Sequence, residues 1–209
     1  MKKLFAAAAF AAALAETYRR FLREPILSWG ATADEAASRL PGDELLEDAD
    51  IVSTRAISVN APASAVWPWL VQMGSGRGGA YTYDWIENLL GLDMHSADRI
   101  LPEFQQLEVG HVLTNTKGGP GMRVDILEPE RVLSWRSEDG KWVWTFVLEE
   151  AEGRTRLISR NRIALGGSLG GRLAMLVMEP GSLVMERKML HGIKQRSERL
   201  AQQRVGAVA

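Results

Sequence analysis

The sequence predicts an α+β protein whose strands form an antiparallel sheet. One early strand is followed by short helices, and five further strand patterns then follow one another between residues 111 and 164. Because helices do not alternate with these later strands, a parallel βαβ sheet is disfavoured. The chain closes with an amphipathic helical pattern over residues 182–203, and its apolar fraction of 46% suffices for a substantial core.

Bulk composition excludes several classes of function. The 209 residues carry a net charge of −1, which leaves no dominant positive field for binding nucleic acid. The chain contains no cysteine, so disulfides, thiol catalysis and cysteine-ligated zinc are excluded. The compartment stays open, because cytosolic and exported proteins alike can lack cysteine.

We divide the chain into residues 1–30, residues 31–50 and a folded domain over residues 51–204. In the first segment two lysines precede an apolar, alanine-rich run over residues 4–15, which is too short to span a bilayer. Three interpretations stay open: weak membrane association through residues 4–15, a cleaved export signal, or a plain soluble helix. Residues 31–50 hold seven acids against one base and indicate a solvated acidic linker, so we expect residues 1–20 to be dispensable for folding.

The elements of the folded domain follow in order. The β-branched stretch Ile51–Val59 predicts the first strand, which ends at a turn over residues 60–62. Helical spacing then predicts one helix over residues 64–73, which Ser64 can cap, and a second over residues 83–90. The later strands are expected at residues 111–115, 122–127, 132–136, 141–149 and 154–164.

The C-terminal segment is predicted to be a helix that Pro180 and Gly181 break, with the long helix starting after them. On a wheel of 100° per residue an apolar stripe runs along this long helix. The stripe consists of Leu183, Met189, Leu190, Ile193 and Leu200.

Glu186 lies at the centre of this apolar stripe. An unpaired buried carboxylate is strongly destabilising, so we expect Glu186 to face the inside of the domain and to meet a partner there. The partner is Ser159 or Asn161 on the last strand, Arg77 from a loop, or a water or ligand hydroxyl. In the last case Glu186 is the best acid or base candidate in the chain.

Several parts of the chain together resemble a known superfamily. A strand ending in Asn60-Ala61-Pro62, a helix with Val66-Trp67, an antiparallel meander and a long closing helix resemble the START/pollen-allergen/polyketide-cyclase (SRPBCC) superfamily over residues 51–204. Residues 72–105 are similar to an insertion in an uncharacterised bacterial, mainly actinobacterial, branch. That branch also shows Trp29-Gly30-Ala31-Thr32 and a Met189-Leu190-x-Gly192-Ile193-Lys194 helix.

The resemblance implies a helix-grip fold, in which a curved antiparallel sheet wraps around the long C-terminal helix and encloses an apolar cavity. Such a cavity would take lipids, sterols, polyketides or other apolar molecules, and the branch brings no assigned reaction. Trp142, Trp144, Phe146 and Leu148 alternate along one strand and therefore share a face. These side chains either form a packed core or line the cavity, and we expect the three aromatic ones to face the cavity.

The candidate ligand-binding residues lie on this strand, on its neighbours and around the expected cavity mouth. They are Trp142, Trp144, Phe146, Ser159, Asn161, Glu186, Met189, Arg77, Tyr81 and Tyr83. Two readings of the mouth stay open. Its polar residues form a rim with Arg77 as an anion clamp, or Asp84 and Glu87 are first-turn acids that the helix dipole favours.

Two sequence motifs could indicate a cofactor or a metal site, but we expect both to have only a structural role. Gly74-x-Gly76-x-x-Gly79 matches the dinucleotide-binding fingerprint, but no strand precedes it and no βαβ unit follows. We therefore expect no cofactor. The segment is instead predicted to be a loop in which a carboxylate or carbonyl holds Arg77. Asp93, His95 and Asp98 could ligate a metal. The alternative, a helix N-cap at Ser96, is preferred, so we expect no metal.

These features together predict binding or carriage of a small hydrophobic ligand in an internal cavity. Two alternatives stay open. The first is an enzyme, such as a cyclase, aromatase or dehydratase, that acts on an apolar substrate. The second is an interaction or stress-response protein whose cavity is filled by its own side chains. The oligomeric state and the identity of the ligand are not indicated by the sequence.

Overall fold

The computed structural model describes residue 13 and residues 15–114, 120–167 and 169–206. Six strands form one antiparallel sheet in the order β1-β6-β5-β4-β3-β2, so the first strand pairs with the last. The strands are β1 Ile51–Val59, β2 Val112–Leu113, β3 Met122–Glu128, β4 Val132–Ser137, β5 Trp142–Ala151 and β6 Arg154–Ile163. A register shift between Val124 and Ile126 interrupts the β3–β4 ladder, and such bulges bend a sheet.

The helices lie before, between and after the strands. They are α1 Arg23–Leu27, α2 Ala33–Ala37, α3 Ala63–Val71, α4 Asp84–Leu89 and α5 Leu169–Gly206, with a π-helical turn at Tyr18–Leu22 and 3₁₀ turns at Asp43–Leu46 and Pro102–Phe104. The α+β helix-grip prediction is confirmed, because α5 packs against α3 and β1. Among the described residues no helix is long and apolar enough to cross a membrane. Most of the apolar run over residues 4–15 lies outside them.

The predicted break in the C-terminal helix is wrong. Helix α5 continues through Pro180 and Gly181 as one element of 38 residues. A proline inside a helix removes one backbone hydrogen bond and disfavours the helix locally. Two kinds of contact hold this stretch: the distant residues Tyr18 and Arg23 bind the Glu179 carboxylate, and within the helix the Ser182 hydroxyl donates to the Glu179 carbonyl. Local propensity is overridden by these contacts.

The main core lies between the inner face of the sheet and the two helices α3 and α5. Period-2 alternation places Phe146 and Leu148 of β5 on this face, opposite Leu157 of β6. The predicted Ser64 cap of α3 is wrong, since Pro62 takes the N-cap position. The core is built from sheet, α3 and α5 side chains that are almost completely buried, among them Val66, Trp69, Leu70, Leu133, Phe146, Leu148, Leu157, Leu190 and Ile193.

The outer face of the sheet is covered by the segment that the sequence indicated as a solvated linker. Leu40 packs there in a small second core with Ala56, Val147 and Ile158. Arg160, only 3% exposed, donates to the Asp43 carboxylate over 2.7 Å and to carbonyl oxygens of the same segment. The expectation of a solvated connector is therefore corrected: outward-facing arginines of β6 attract the acids of residues 31–50 and bind the segment to the sheet.

A close backbone approach fixes the start of this outer segment. The carbonyl of Trp29 accepts a hydrogen bond from the amide of Ala56 over 3.1 Å, which attaches the chain to the edge of β1. Gly30 follows with a φ of 74°, and a Cβ atom on Gly30 would stand 2.2 Å from the Ala56 carbonyl oxygen. Only glycine fits this position.

We expect Asp43→Asn to destabilise the protein by about 3 kcal/mol, because it leaves the buried Arg160 guanidinium without its carboxylate. Denaturant unfolding monitored by circular dichroism measures the change. The matched control is Asp48→Asn, an exposed acid of the same segment, which we expect to change stability by less than about 0.5 kcal/mol. Equal stability of the two variants would show that the ion pair between Asp43 and Arg160 does not help to hold residues 31–50 on the sheet.

Candidate functional site

An internal cavity of about 620 Å³ lies between the sheet, helix α5 and the loops on either side of α4. The sheet contributes its inner face near one end of β1, β5 and β6, including Ile51, Ser53 and Ile163. The loop segment contributes Ala80 and Leu92. A volume of this size is in the range of sites for drug-sized ligands, so the predicted cavity is present and open.

Methionine side chains dominate the apolar lining. The chain has eight methionines, and all of them except Met1 line this cavity. They come from the segment just after α3, the loops, β3 and four positions of α5: Met73, Met94, Met122, Met175, Met178, Met185 and Met189. Methionine is unbranched and polarisable, so a wall of this kind can adjust to ligands of different shape and makes favourable contacts with aromatic rings.

Two stacked indoles form the aromatic wall. The rings of Trp142 and Trp144 lie 5.7 Å apart, inclined by 16°, and both line the cavity. Their ring nitrogens are satisfied by the neighbouring strand: Trp142 Nε1 donates to Asn161 Oδ1 and Trp144 Nε1 donates to Ser159 Oγ, each over 2.9 Å. These bonds fix the ring orientations, and the indole faces remain as apolar surface.

A buried ion pair joins the sheet to α5 at the cavity wall. Glu186, 7% exposed, accepts hydrogen bonds from Arg55 of β1, which is fully buried. It also accepts from Ser159 Oγ over 2.5 Å and from Asn161 Nδ2 over 3.3 Å. The expectation that Glu186 faces inward and meets Ser159 or Asn161 is confirmed, whereas the third partner is Arg55 and not Arg77.

The remaining N–H groups of Arg55 extend this network to the N-terminal segment. Arg55 Nε donates to the Ile26 carbonyl over 3.1 Å, and Arg55 Nη2 donates to Ser182 Oγ over 3.0 Å. One turn earlier on α5, Glu179 accepts from Tyr18 and Arg23. The expectation that residues 1–20 are dispensable is therefore weakened, since Tyr18 and the residues just after it pack on α5.

Burial raises the pKa of the Glu186 carboxyl, while the Arg55 charge and the Ser159 and Asn161 hydrogen bonds oppose the rise. Burial likewise raises the pKa of Tyr18 to about 12, and the adjacent Glu179 carboxylate adds to the rise. Stability from the Tyr18–Glu179 hydrogen bond is therefore present below about pH 10 and is lost as the pH rises through 12.

The structure brings half of the predicted ligand-binding residues to the cavity. Those that line it are Trp142, Trp144, Asn161, Glu186 and Met189. Phe146 instead packs in the core beside Trp135 and Trp144. Ser159 lies behind the wall, where its hydroxyl is shared by Trp144 and Glu186.

The three residues expected at the cavity mouth have other positions. Arg77 is held by the carbonyls of Val71 and Phe104, as the carbonyl alternative predicted, and its guanidinium stacks on the Phe104 ring. Tyr81 is buried in the core, where its hydroxyl donates to the Trp69 carbonyl. Tyr83 is exposed beneath the ammonium group of Lys188. The anion-clamp reading of Arg77 is thus corrected, because its Nη2 atom donates to two carbonyls and its side chain does not line the cavity.

A second close approach positions the loop that closes the cavity. A Cβ atom on Gly192 of α5 would lie 2.6 Å from the Tyr81 carbonyl oxygen, so only glycine lets this loop lie directly on the helix. Tyr81 itself has a φ of 60°, and burial raises the pKa of its hydroxyl. The backbone of this loop is therefore fixed against α5, and nearby Ala80 and Thr82 reach the cavity.

The candidate metal residues are separated. His95 pairs with Asp93 at the surface over 3.1 Å, and Asp98 pairs with Arg196 over 2.7 Å. Across the described part of the chain, no three acidic or imidazole side chains are arranged to hold a metal ion. The predicted Ser96 cap is wrong, since Ser96 hydrogen-bonds to Asp84 and no helix begins there.

Sequence reasoning missed Arg55, Glu179 and most of the methionine wall. Strand alternation held a signal for Arg55, because it shares a face of β1 with Ile57 and Val59. The methionines of the loops and β3 gave no common signal, because they come from different elements. Met175, Met178, Met185 and Met189 recur at helical spacing on α5, but the expected break at Pro180 separated the first two from the long helix. Glu179 was missed because the expected break at Pro180 placed it outside the long helix.

The fold and the cavity together define a helix-grip protein with an internal apolar cavity. No family model matches the chain, and no curated protein matches it. Several solved structures are similar to it, and at the identities below the likeness concerns the fold alone. The superfamily and its actinobacterial branch stay predictions.

Three of these structures illustrate the range of sequence identity and structural similarity. The KanY protein (ms6282) is 14% identical at a TM-score of 0.47, covering 71% of this chain and 97% of that chain. The Polyketide_cyc-like protein Cgl2372 from Corynebacterium glutamicum is 16% identical at 0.36, covering 75% and 93%. CalU16 from Micromonospora echinospora is 18% identical at 0.34, covering 72% and 86%.

We expect Glu186→Gln to destabilise the protein by about 3 kcal/mol or more, because the fully buried Arg55 charge loses its counter-ion. The midpoint of urea unfolding measures the change. The matched control is Glu47→Gln, whose carboxylate pairs with Arg39 in solvent, and we expect a change of less than about 1 kcal/mol there.

The double variant Arg55→Met with Glu186→Gln separates charge from packing. Removal of both charges leaves no buried ion, so the double variant should be more stable than Glu186→Gln alone. A double variant less stable than Glu186→Gln would show that the uncompensated charge is not the cause.

Proposed function

We propose that this protein reversibly binds a small apolar molecule in its internal cavity, as a carrier or binding protein. The observation that carries the proposal is the lining: seven methionines and a stacked tryptophan pair around a space of about 620 Å³. Transfer of an apolar ligand from water to such a site is favourable in proportion to the apolar area that is removed from water.

The composition of the wall supports a ligand with rings or branches, whose exact shape need not be fixed. Methionine side chains repack at low cost, and sulfur–aromatic contacts favour ring systems. The indole wall is rigid, because Asn161 and Ser159 hold its ring nitrogens. A rigid aromatic face opposite an adaptable thioether face supports the binding of planar or partly planar apolar molecules.

The polar wall supports binding more strongly than catalysis by Glu186. Both carboxylate oxygens of Glu186 accept hydrogen bonds, from Arg55, Ser159 and Asn161 together. An acid or base needs a lone pair or proton directed at the substrate, and here those positions are occupied by the protein. The open cavity also argues against the alternative in which side chains fill the interior.

We expect the NMR resonances of the methionine methyl groups to change when a ligand occupies the cavity. Protein labelled with [methyl-¹³C]methionine has seven methyl resonances from cavity methionines in addition to that of Met1. Titration with 1-decanol should shift most of these seven, because their methyl groups surround the ligand. Two-dimensional ¹H–¹³C spectra measure the shifts, and single Met→Leu variants assign them. Shifts confined to one or two methyl groups at saturation would contradict binding in this cavity.

Tryptophan fluorescence should respond to the same ligand through Trp144. We expect 1-decanol to change the emission of the wild-type protein, because it replaces water or empty space beside the indole pair. Trp144→Phe should reduce this change without abolishing it, because Trp142 also lines the cavity. The control is Trp85→Phe, since Trp85 is 69% exposed on α4, and this variant should keep it. The reverse pattern would place the ligand outside the cavity.

A further inference from the structure

Glu87 of α4 lines the cavity and is the least compensated charged group there. It is 8% exposed, although it belongs to a short surface helix whose other residues are more exposed. Its Oε2 atom is buried and has no hydrogen bond of good geometry, and the same holds for the hydroxyl of the nearby cavity residue Thr82. Native proteins leave few such groups unsatisfied, so each calls for a partner.

A balance of charges singles out the same residue. Among the described residues, the charged groups that line the cavity are Arg55, Glu87, Glu179 and Glu186. Arg55 compensates Glu186, and Arg23 from the N-terminal segment compensates Glu179. No described Lys, Arg or His forms an ion pair with Glu87. When Glu87 is ionised, its negative charge is therefore the one in the cavity without a counter-ion among the described residues.

The surroundings of Glu87 disfavour its ionised form in the absence of a ligand. Burial raises the pKa of Glu87; the neighbouring Thr82 hydroxyl opposes the rise, and the Asp84 carboxylate adds to it. Asp84 itself is occupied, since it accepts hydrogen bonds from the amide and hydroxyl of Ser96. Glu87 is thus the cavity carboxyl with acceptor capacity left for a ligand.

We propose that the ligand of this cavity is an apolar amine whose protonated nitrogen binds the Glu87 carboxylate, with the Thr82 hydroxyl beside it. This inference rests on the proposed binding function and specifies its ligand class. A protonated amine offers up to three N–H donors, supplies the positive charge that the cavity lacks, and leaves its hydrocarbon part to the methionine and tryptophan walls. A carboxylate ligand would add a further negative charge, and an alcohol would leave the excess uncompensated.

Three probes of equal chain length test the assignment: decylamine, 1-decanol and decanoate, titrated into the full chain at pH 7 by isothermal titration calorimetry. We expect decylamine to bind at least about tenfold more tightly than 1-decanol, because its ammonium group forms charge-assisted hydrogen bonds, which are stronger than those of a neutral hydroxyl. Decanoate should bind most weakly. In Glu87→Gln the advantage of decylamine over 1-decanol should fall to about twofold or less.

Controls separate the possible failures. Glu103→Gln neutralises an exposed acid outside the cavity lining and should keep the preference for the amine. Thermal melting shows whether Glu87→Gln is folded, and measurable binding of 1-decanol shows that its cavity still accepts a ligand. If none of the three probes binds the wild-type protein, the proposed binding function fails. If 1-decanol binds and decylamine binds no better, or if Glu87→Gln keeps the preference, the amine assignment alone is overturned.

Discussion

The buried ion pair between Arg55 and Glu186 is the contact on which the rest of the molecule depends. A guanidinium without solvent contact is tolerated only where its donors meet acceptors, and Arg55 meets the Glu186 carboxylate, the Ile26 carbonyl and the Ser182 hydroxyl. One side chain therefore joins the edge strand of the sheet to the N-terminal segment and to the long helix. Ser159 and Asn161 extend the network to Trp144 and Trp142, so the orientation of the cavity tryptophans depends on the same carboxylate.

This network divides the cavity into two surfaces with different physical properties. On the sheet side, the polar side chains are joined in one hydrogen-bond network. None of them can move alone without leaving a buried polar group unsatisfied. The side formed by α5 and the loops is largely methionine, whose side chains change rotamer at low cost. A ligand bound in such a site would be oriented by a few polar groups, whereas the methionine side could accommodate ligands of different shape. Glu87, for which we propose a role in ligand binding, lies on the loop side; its Oε2 atom has no hydrogen bond, whereas both carboxylate oxygens of Glu186 do.

The sequence predicted the fold well and the site in part, and the reasons are physical. Strand positions followed from alternation and turn residues, which are local properties, so all six strands were found to within a few residues. The inward position of Glu186 was predicted because a charged residue within an apolar helical stripe can be recognised from the local sequence. The partner of Glu186 was not found, because the contact with Arg55 joins residues 131 positions apart. Pro180 was misread for the same reason: local propensity disfavours a helix there, and the contacts of Glu179 that sustain it are distant in sequence.

The order of the strands has a consequence for how the chain reaches this state during synthesis. Strand β1 is made first among the strands but pairs only with β6, the last of them, and Arg55 obtains its carboxylate only when α5 is made. Closing so long a loop is entropically costly and makes assembly slow compared with a helical bundle. The nascent chain thus carries an unpaired edge strand with an inward-facing arginine until β6 and α5 have left the ribosome. A charge on that face disfavours premature pairing with other chains, in the manner of edge strands that avoid aggregation.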